Sequence, residues 1–125
     1  MLVQKNLNAA VAVLEDDAIV RLAITAFFDA QGTEVLAGSN GSEVAALVAM
    51  TRLRPTIIIA DYRLGATTAM DEVPEVMAAL PEDVTVVITT GDTSPETRDL
   101  IAACGWRLLT KPYRPQDILS IMNAA

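Results

Sequence analysis

Five polar side chains with the chemistry of a phosphate or metal site stand where apolar, strand-like runs end. They are Glu15 and Asp16 after the run at 10–14, Asp61 at the end of the run at 56–61, Thr90 after the run at 84–88, and Lys111 after the run at 107–110. If these runs are parallel strands of one sheet, their carboxyl ends meet at one edge, where ligands of such sheets bind. Carboxylates, a hydroxyl and an ammonium at one edge indicate a phosphorylation site.

The elements that must position these side chains alternate along the chain. Strand-like runs lie at 10–14, 33–37, 56–61, 84–88 and 107–110, and helical patterns lie at about 18–31, 41–52, 71–80, 94–104 and from Pro115 onward. Pro55 is expected to separate the second helix from the third strand, 62–70 to form a loop, and Pro74 to lie in a first helical turn. The order predicts an α/β fold: a single-domain (βα)5 three-layer sandwich with a parallel sheet.

Composition excludes several classes of function. The 125 residues suit one domain, and 52% apolar residues predict a globular core. A net charge of −7 argues against direct binding of nucleic acid, and no apolar stretch approaches the ~20 residues that span a bilayer. A single cysteine and an N-terminus without signal-peptide features favour a cytoplasmic protein. The chain has no histidine, so a phosphohistidine donor would have to belong to another protein.

The acidic residues indicate a metal site. If Glu15, Asp16 and Asp61 come together, each pair of carboxylates repels by about 4 kcal/mol at about 4 Å and an effective dielectric constant near 20, so the group needs a cation or protons. Ligands that are all oxygen favour Mg²⁺ or Mn²⁺ over zinc. The alternative for residues 15–17 is a solvated turn in which Asp17 caps the following helix, and Asp61 could equally be a turn residue.

Thr90 and Lys111 each have a structural alternative as well. A hydroxyl at a strand end often satisfies backbone groups, and a lone lysine is commonly a solvated surface charge. Pro112 strengthens the functional interpretation of Lys111, because a Lys-Pro step favours extended backbone and is a candidate for a cis peptide. Such a turn could direct the ammonium toward an aspartate or a phosphoryl oxygen.

Taken together, the pattern resembles the receiver domains of two-component response regulators. The residues that carry the resemblance are 13–17, 58–64, 87–91 and Lys111-Pro112. The resemblance covers about residues 9–125 of a 1–125 receiver domain, with residues 1–8 as an N-terminal extension. It implies a flavodoxin-like sheet of strand order 2-1-3-4-5.

The resemblance also implies the role of each site residue. Asp61 would accept the phosphoryl group, Asp16 would bind the metal directly and Glu15 through water, as the five-residue step from Asp16 to Arg21 suggests. The backbone carbonyl of Arg63 would complete the metal ligands. Thr90 would donate a hydrogen bond to the phosphoryl oxygen and Lys111 would pair with it.

Partners follow from the same resemblance. The donor would be a sensor histidine kinase or a histidine phosphotransfer protein, and a downstream protein would bind the surface around residues 94–112. Receivers of hybrid sensor kinases are the most similar group, although the chain could equally be a stand-alone regulator. Leu108 occupies the position where many receivers have an aromatic residue, so an aromatic switch is not expected, and Trp106 is expected to cover the sheet edge.

Two other functions remain as alternatives. One is an interaction module of the same fold that is not phosphorylated. The other is a small phosphatase of the haloacid-dehalogenase type. Enzymes of that type share a second aspartate two residues after the first, and this chain has Arg63 at that position. The receiver function is phosphoacceptor signalling with self-catalysed transfer and loss of phosphate, not turnover of a separate substrate.

Overall fold

The computed structural model describes residues 9–80 and 83–124, so the expected extension at 1–8 lies outside the described part. Strands and helices alternate as the sequence predicts. In chain order they are β1 (Ala9–Leu14), α1 (Ala18–Ala30), β2 (Glu34–Gly38), α2 (Gly41–Met50), β3 (Arg54–Asp61), β4 (Arg63–Leu64), β5 (Thr67–Thr68), α3 (Ala69–Ala78), β6 (Thr85–Thr90), α4 (Pro95–Ala103), β7 (Arg107–Thr110) and α5 (Pro115–Ala124).

Five parallel strands form the main sheet in the order β2-β1-β3-β6-β7. Counted among these five in chain order, this is 2-1-3-4-5, which confirms the predicted α/β sandwich and its flavodoxin-like topology. The order reverses beside β1, so the crevice at the carboxyl ends of β1 and β3 is the expected place for a ligand. Among the described residues, no helix has the length and apolar character needed to cross a bilayer.

The core has one layer on each side of the sheet. Ile24 and Phe28 of α1 and Ile118 of α5 pack on one face, and α2, α3 and α4 pack on the other. The central strand β3 is apolar on both faces because Ile57 and Ile59 meet the first layer while Ile58 and Ala60 meet the second. Each buried isoleucine or phenylalanine among these side chains stabilises the fold by roughly 1.5–3 kcal/mol. Rigid strands therefore hold the polar residues at their ends.

Helix caps fix where the chain leaves the sheet. The Asp17 side chain accepts hydrogen bonds from the backbone N–H of Ile19 and Val20, and Ser94 accepts one from Thr97 N–H. Both caps are predicted from the sequence, as is Pro95 in the first helical position. Asp17 is thereby engaged in the helix cap and is not part of the cluster formed by Glu15, Asp16 and Asp61.

One predicted boundary near β3 is wrong. Pro55 does not separate helix from strand, because it is buried within β3 and pairs with Ala10 where the register between β1 and β3 shifts. Proline fits near the start of a strand at such an irregularity, where no ladder hydrogen bond from its nitrogen is required. The helix α2 ends at Met50, close to the predicted end at about Arg52.

The predicted loop at 62–70 is in part a hairpin. Arg63 pairs with Thr68 and Leu64 with Thr67 in antiparallel fashion, and Gly65 turns the chain with φ of +69°. Thr68 then caps α3, which begins at Ala69 and not near 71. Pro74 consequently lies inside the helix, so the prediction of a first-turn proline is wrong and one intrahelical hydrogen bond is lost.

Candidate functional site

The sheet register brings the acidic residues to one place. Leu14 pairs with Ala60 across β1 and β3, so Glu15 follows β1 directly beside Asp61. The carboxylate oxygens of Glu15, Asp16 and Asp61 lie within 4.8 Å of one another. Arg21 holds this turn in place, since its Nη1 donates a hydrogen bond to the Glu15 carbonyl oxygen at 2.7 Å. Arg21 therefore contacts the first residue of the acidic pair, and the metal-binding roles that its spacing from Asp16 suggested for Glu15 and Asp16 stay a prediction.

The three acids differ in exposure. Glu15 is 4% exposed, the Asp61 side chain is 14% exposed, and Asp16 is open to solvent. Burial, together with a hydrogen bond to Asp61 and the charge of that residue, raises the pKa of Glu15 to about 8. A carboxylic acid at this position therefore holds its proton at neutral pH when no cation is bound.

Lys111 supplies the positive charge of the site. Its Nζ donates a hydrogen bond to Asp61 Oδ2 at 3.1 Å. The Lys111-Pro112 peptide is cis, as the sequence suggested, and the Lys111 backbone N–H donates to the Thr90 carbonyl oxygen at 2.8 Å. The neighbouring ends of β6 and β7 are thus tied together beside Asp61.

Thr90 is placed at the same edge but has a different partner. Thr90 is 3% exposed, and its Oγ1 accepts a hydrogen bond from the Asp92 N–H at 2.9 Å. Asp61 itself pairs with Thr89 in the register between β3 and β6. The structure therefore brings all the predicted side chains to one sheet edge, with Glu15, Asp16, Asp61 and Lys111 in direct proximity.

Sequence reasoning missed three residues that shape the site. The Gly65 N–H donates to Asp16 Oδ2 at 3.0 Å, so the hairpin after β3 fixes one metal-ligating candidate. Tyr113 lies near enough that, after burial, the charges of Glu15 and Asp61 raise its pKa. Asp92 holds Thr90, as described above. The Asp-Thr-Ser-Pro turn signal at 92–95 and the glycine at 65 were visible in the sequence, but their contacts were not.

The donor set fits a hard divalent cation. All side-chain candidates are carboxylates, and Glu15 Oε2 is a buried oxygen without a hydrogen-bond partner among the described residues. Such an orphan is costly unless a proton, a water or a cation satisfies it. Carboxylate oxygens at one exposed edge are the ligands that Mg²⁺ and Mn²⁺ accept, so the residues fit a divalent metal site.

The raised pKa of Glu15 predicts a pH-dependent stability in metal-free protein. The folded protein binds this proton more tightly than the unfolded chain, whose glutamate has its ordinary pKa of 4.5. The contribution to stability is full below that value and is lost as pH rises through about 8. In Glu15→Gln, denaturant unfolding with chelator present should show a smaller loss of unfolding free energy over this range. An identical pH dependence in both proteins would contradict the assignment.

Comparisons with known proteins find a matching family and a curated relative. The family described as the response regulator receiver domain matches residues 11–123. The uncharacterized transcriptional regulatory protein YxjL of Bacillus subtilis (strain 168) is 26% identical over 117 residues, which are 92% of this chain and 53% of that protein. The chain thus spans about half the length of this curated relative.

Solved structures show the same fold. The chemotaxis protein CheY4 of Vibrio cholerae superposes with a TM-score of 0.78 at 24% identity, over 93% of this chain and 97% of that one. A response regulator protein from Burkholderia pseudomallei, with a phosphorylated aspartic acid, calcium ion and citrate, gives 0.77 at 20% identity, over 90% of this chain and 65% of that one. Since the family match runs from the first strand into the last helix and the fold recurs in both structures, this chain belongs to the response regulator receiver domain family.

Proposed function

We propose that Asp61 accepts a phosphoryl group from a phosphohistidine on a partner protein, in a reaction that requires Mg²⁺ or Mn²⁺. The observation that carries the proposal is the contact between Lys111 and Asp61 at 3.1 Å inside a cluster of three carboxylates. A structural ion pair alone would not need two further acids beside it, because they repel one another and the aspartate. A site that binds a cation and a phosphoryl group accounts for all four residues.

Each acid has a separate task in this proposal. Asp61 is the nucleophile, since it is the acid that both contacts the ammonium and remains partly open to solvent. Asp16 and Asp61 hold the metal directly, the backbone carbonyl of Arg63 adds an oxygen, and Glu15 acts through water. A divalent cation at this place supplies charge neutralisation for the carboxylates and for the incoming phosphate.

Thr90 and Lys111 bind the product. When the phosphorus–nitrogen bond of the donor breaks and the bond to Asp61 forms, the new group carries about −1.5 to −2 charges at neutral pH. The Lys111 ammonium can pair with one phosphoryl oxygen, and the Thr90 hydroxyl can donate to another. The phosphorylated aspartic acid and calcium ion in the Burkholderia pseudomallei structure support this chemistry for the fold.

The donor must reach Asp61 across the surface of the chain. An apolar groove of about 610 Å³ lies between α1 and the segment after β7, and Lys111 contributes to its lining. Ile19, at one side of this groove, is 80% exposed although it is apolar. A histidine-bearing protein that covers the groove would bury apolar surface and place its phosphohistidine next to the lysine.

Substitution of Ile19 should therefore separate protein donors from small ones. In Ile19→Lys, transfer from a phosphorylated histidine kinase or phosphotransfer protein should slow by about tenfold or more, because a charge is placed in the contact. Transfer from acetyl phosphate should not change. Rapid-quench measurement of both rates tests this.

Met50→Lys is the matched control, because Met50 is 81% exposed and lies on α2, which packs on the opposite face of the sheet. Its rates should equal those of the wild type with either donor. Equal slowing by the two substitutions would show that the groove is not the docking surface.

The output surface in this proposal is the region around residues 94–112. It comprises α4, where Leu100 is 48% exposed, and β7. A downstream protein would bind here once the loops after β6 and β7 have responded to the phosphoryl group. Whether that partner is a separate protein or another part of a hybrid kinase, the same surface is used.

Incubation with acetyl phosphate tests the function. The intact mass of the protein should increase by one phosphoryl group in the presence of Mg²⁺, and not when a chelator replaces the metal. The adduct should be labile at alkaline pH, as acyl phosphates are. Absence of an adduct with every donor would favour a non-phosphorylated interaction module, and repeated release of phosphate from simple esters would favour a phosphatase.

A further inference from the structure

Asp92 connects the end of β6 with the beginning of α4. Its N–H donates to Thr90 Oγ1 at 2.9 Å. Its carboxylate accepts the Ser94 N–H at Oδ1 and the Thr97 hydroxyl at Oδ2, both at 2.9 Å. Ser94 in turn caps α4. A single residue therefore joins the hydroxyl of the candidate site to the first turn of the helix on the output surface.

The Asp92 carboxylate is stabilised in its charged form by the hydrogen bonds that it accepts. Hydrogen bonds from Ser94 and Thr97 hold the pKa of Asp92 below its usual range, so it is a carboxylate at neutral pH. A negative charge at a helix N-terminus is favourable. Thr97 is 5% exposed, so its hydroxyl depends on these partners and not on solvent.

The Thr90 hydroxyl is the member of this network that belongs to the candidate site. Among the described residues, the hydrogen bond of Thr90 Oγ1 goes to Asp92 and not to Asp61 or Lys111. A threonine hydroxyl moves between discrete staggered positions about one stiff bond. Turning Oγ1 toward a phosphoryl group on Asp61 therefore breaks its bond with the Asp92 N–H.

We propose that Asp92, Ser94 and Thr97 form a latch that retains the Thr90 hydroxyl in the unphosphorylated protein and links its release to the first turn of α4. The latch extends the proposed function and rests on it. Asp92 is a positioning residue that acts through Thr90. Because coupling is reciprocal, a change that loosens the first turn of α4 favours the phosphorylated state. The Leu108 side chain has no polar group that could form a hydrogen bond when Thr90 moves. The link between Thr90 and α4 therefore runs through the latch at the end of β6.

Affinity for beryllium fluoride with Mg²⁺, a phosphoryl mimic, tests the latch. Thr97→Val removes the hydroxyl that holds Asp92 Oδ2 at almost constant volume. Binding measured by calorimetry should become about three- to tenfold tighter, the effect of one net hydrogen bond. In the Thr90→Val background the same substitution should have no effect. Unchanged or weaker binding, or an equal effect in the Thr90→Val background, would overturn the proposal.

Two further measurements make the result specific. Thr25→Val is the matched control, since it removes a hydroxyl bonded to the Arg21 carbonyl oxygen in α1 and should leave affinity unchanged. Amide hydrogen exchange of Ser94 and Thr97 in unliganded Thr90→Val should be faster than in the wild type. If the wild type fails to bind the mimic, the proposed function fails, and the exchange rates alone then decide whether Thr90 and α4 are linked.

Discussion

Asp61→Asn should form no labile phosphoryl adduct with acetyl phosphate and Mg²⁺. The amide lacks the negative charge and the nucleophilic oxygen that attack phosphorus, and the charge-assisted bond from Lys111 is lost with it. We expect the adduct seen by intact mass to fall to background. The fold should survive, because the substitution keeps the shape of the side chain and removes a negative charge that repels the neighbouring Asp16.

The matched control for this substitution is Asp29→Asn. Asp29 is an exposed residue of α1 and belongs to no part of the carboxylate cluster. Its adduct should equal that of the wild type. Persistence of the adduct in Asp61→Asn would place the phosphoryl group on another residue and contradict the assignment of the nucleophile.

Asp16→Asn should weaken Mg²⁺ binding by at least 10–100-fold, the loss that is typical even of outer partners of a metal site. Asp16 is the exposed member of the cluster, and its Oδ2 is positioned by the Gly65 N–H. Phosphorylation at limiting Mg²⁺ should fall in parallel. Without metal, the Asp16→Asn protein should unfold at a higher temperature than the metal-free wild type, because one repelling charge is gone. Calorimetric titration and thermal unfolding with chelator measure both effects.

Asp17→Asn provides the control one residue away. Asp17 accepts the N–H groups of Ile19 and Val20, and asparagine caps helices about equally well. Its Mg²⁺ affinity should be that of the wild type. If the two substitutions weaken Mg²⁺ binding equally, Asp16 is not a ligand of the metal.

The sheet could be predicted because β-branched and apolar runs leave few alternatives for their residues. Ile57, Ile58 and Ile59 are typical of a strand that is buried on both faces, and helices between such strands favour parallel order. Once the order is parallel, the strand ends converge, and the positions of Glu15, Asp61 and Lys111 follow. This part of the site was therefore accessible from sequence.

The segment after Asp61 could not be predicted in the same way. Its short pairing between residues 63–64 and 67–68 depends on the turn at Gly65 and carries no apolar periodicity. The helix α3 begins after its Thr68 cap and continues through Pro74. It tolerates the proline because tertiary packing of α3 compensates for the one hydrogen bond that is lost. The Asp92 contacts depend on side-chain rotamers, which no pattern of residue types specifies.

The chemical location of the phosphoryl group tests the central claim most directly. Protein phosphorylated by a phosphohistidine donor can be reduced with borohydride, which converts an aspartyl phosphate to homoserine, and then digested and sequenced by mass spectrometry. We predict homoserine at position 61 and unmodified acids at 15 and 16. Homoserine at another position, or full phosphorylation with none at 61, would contradict it.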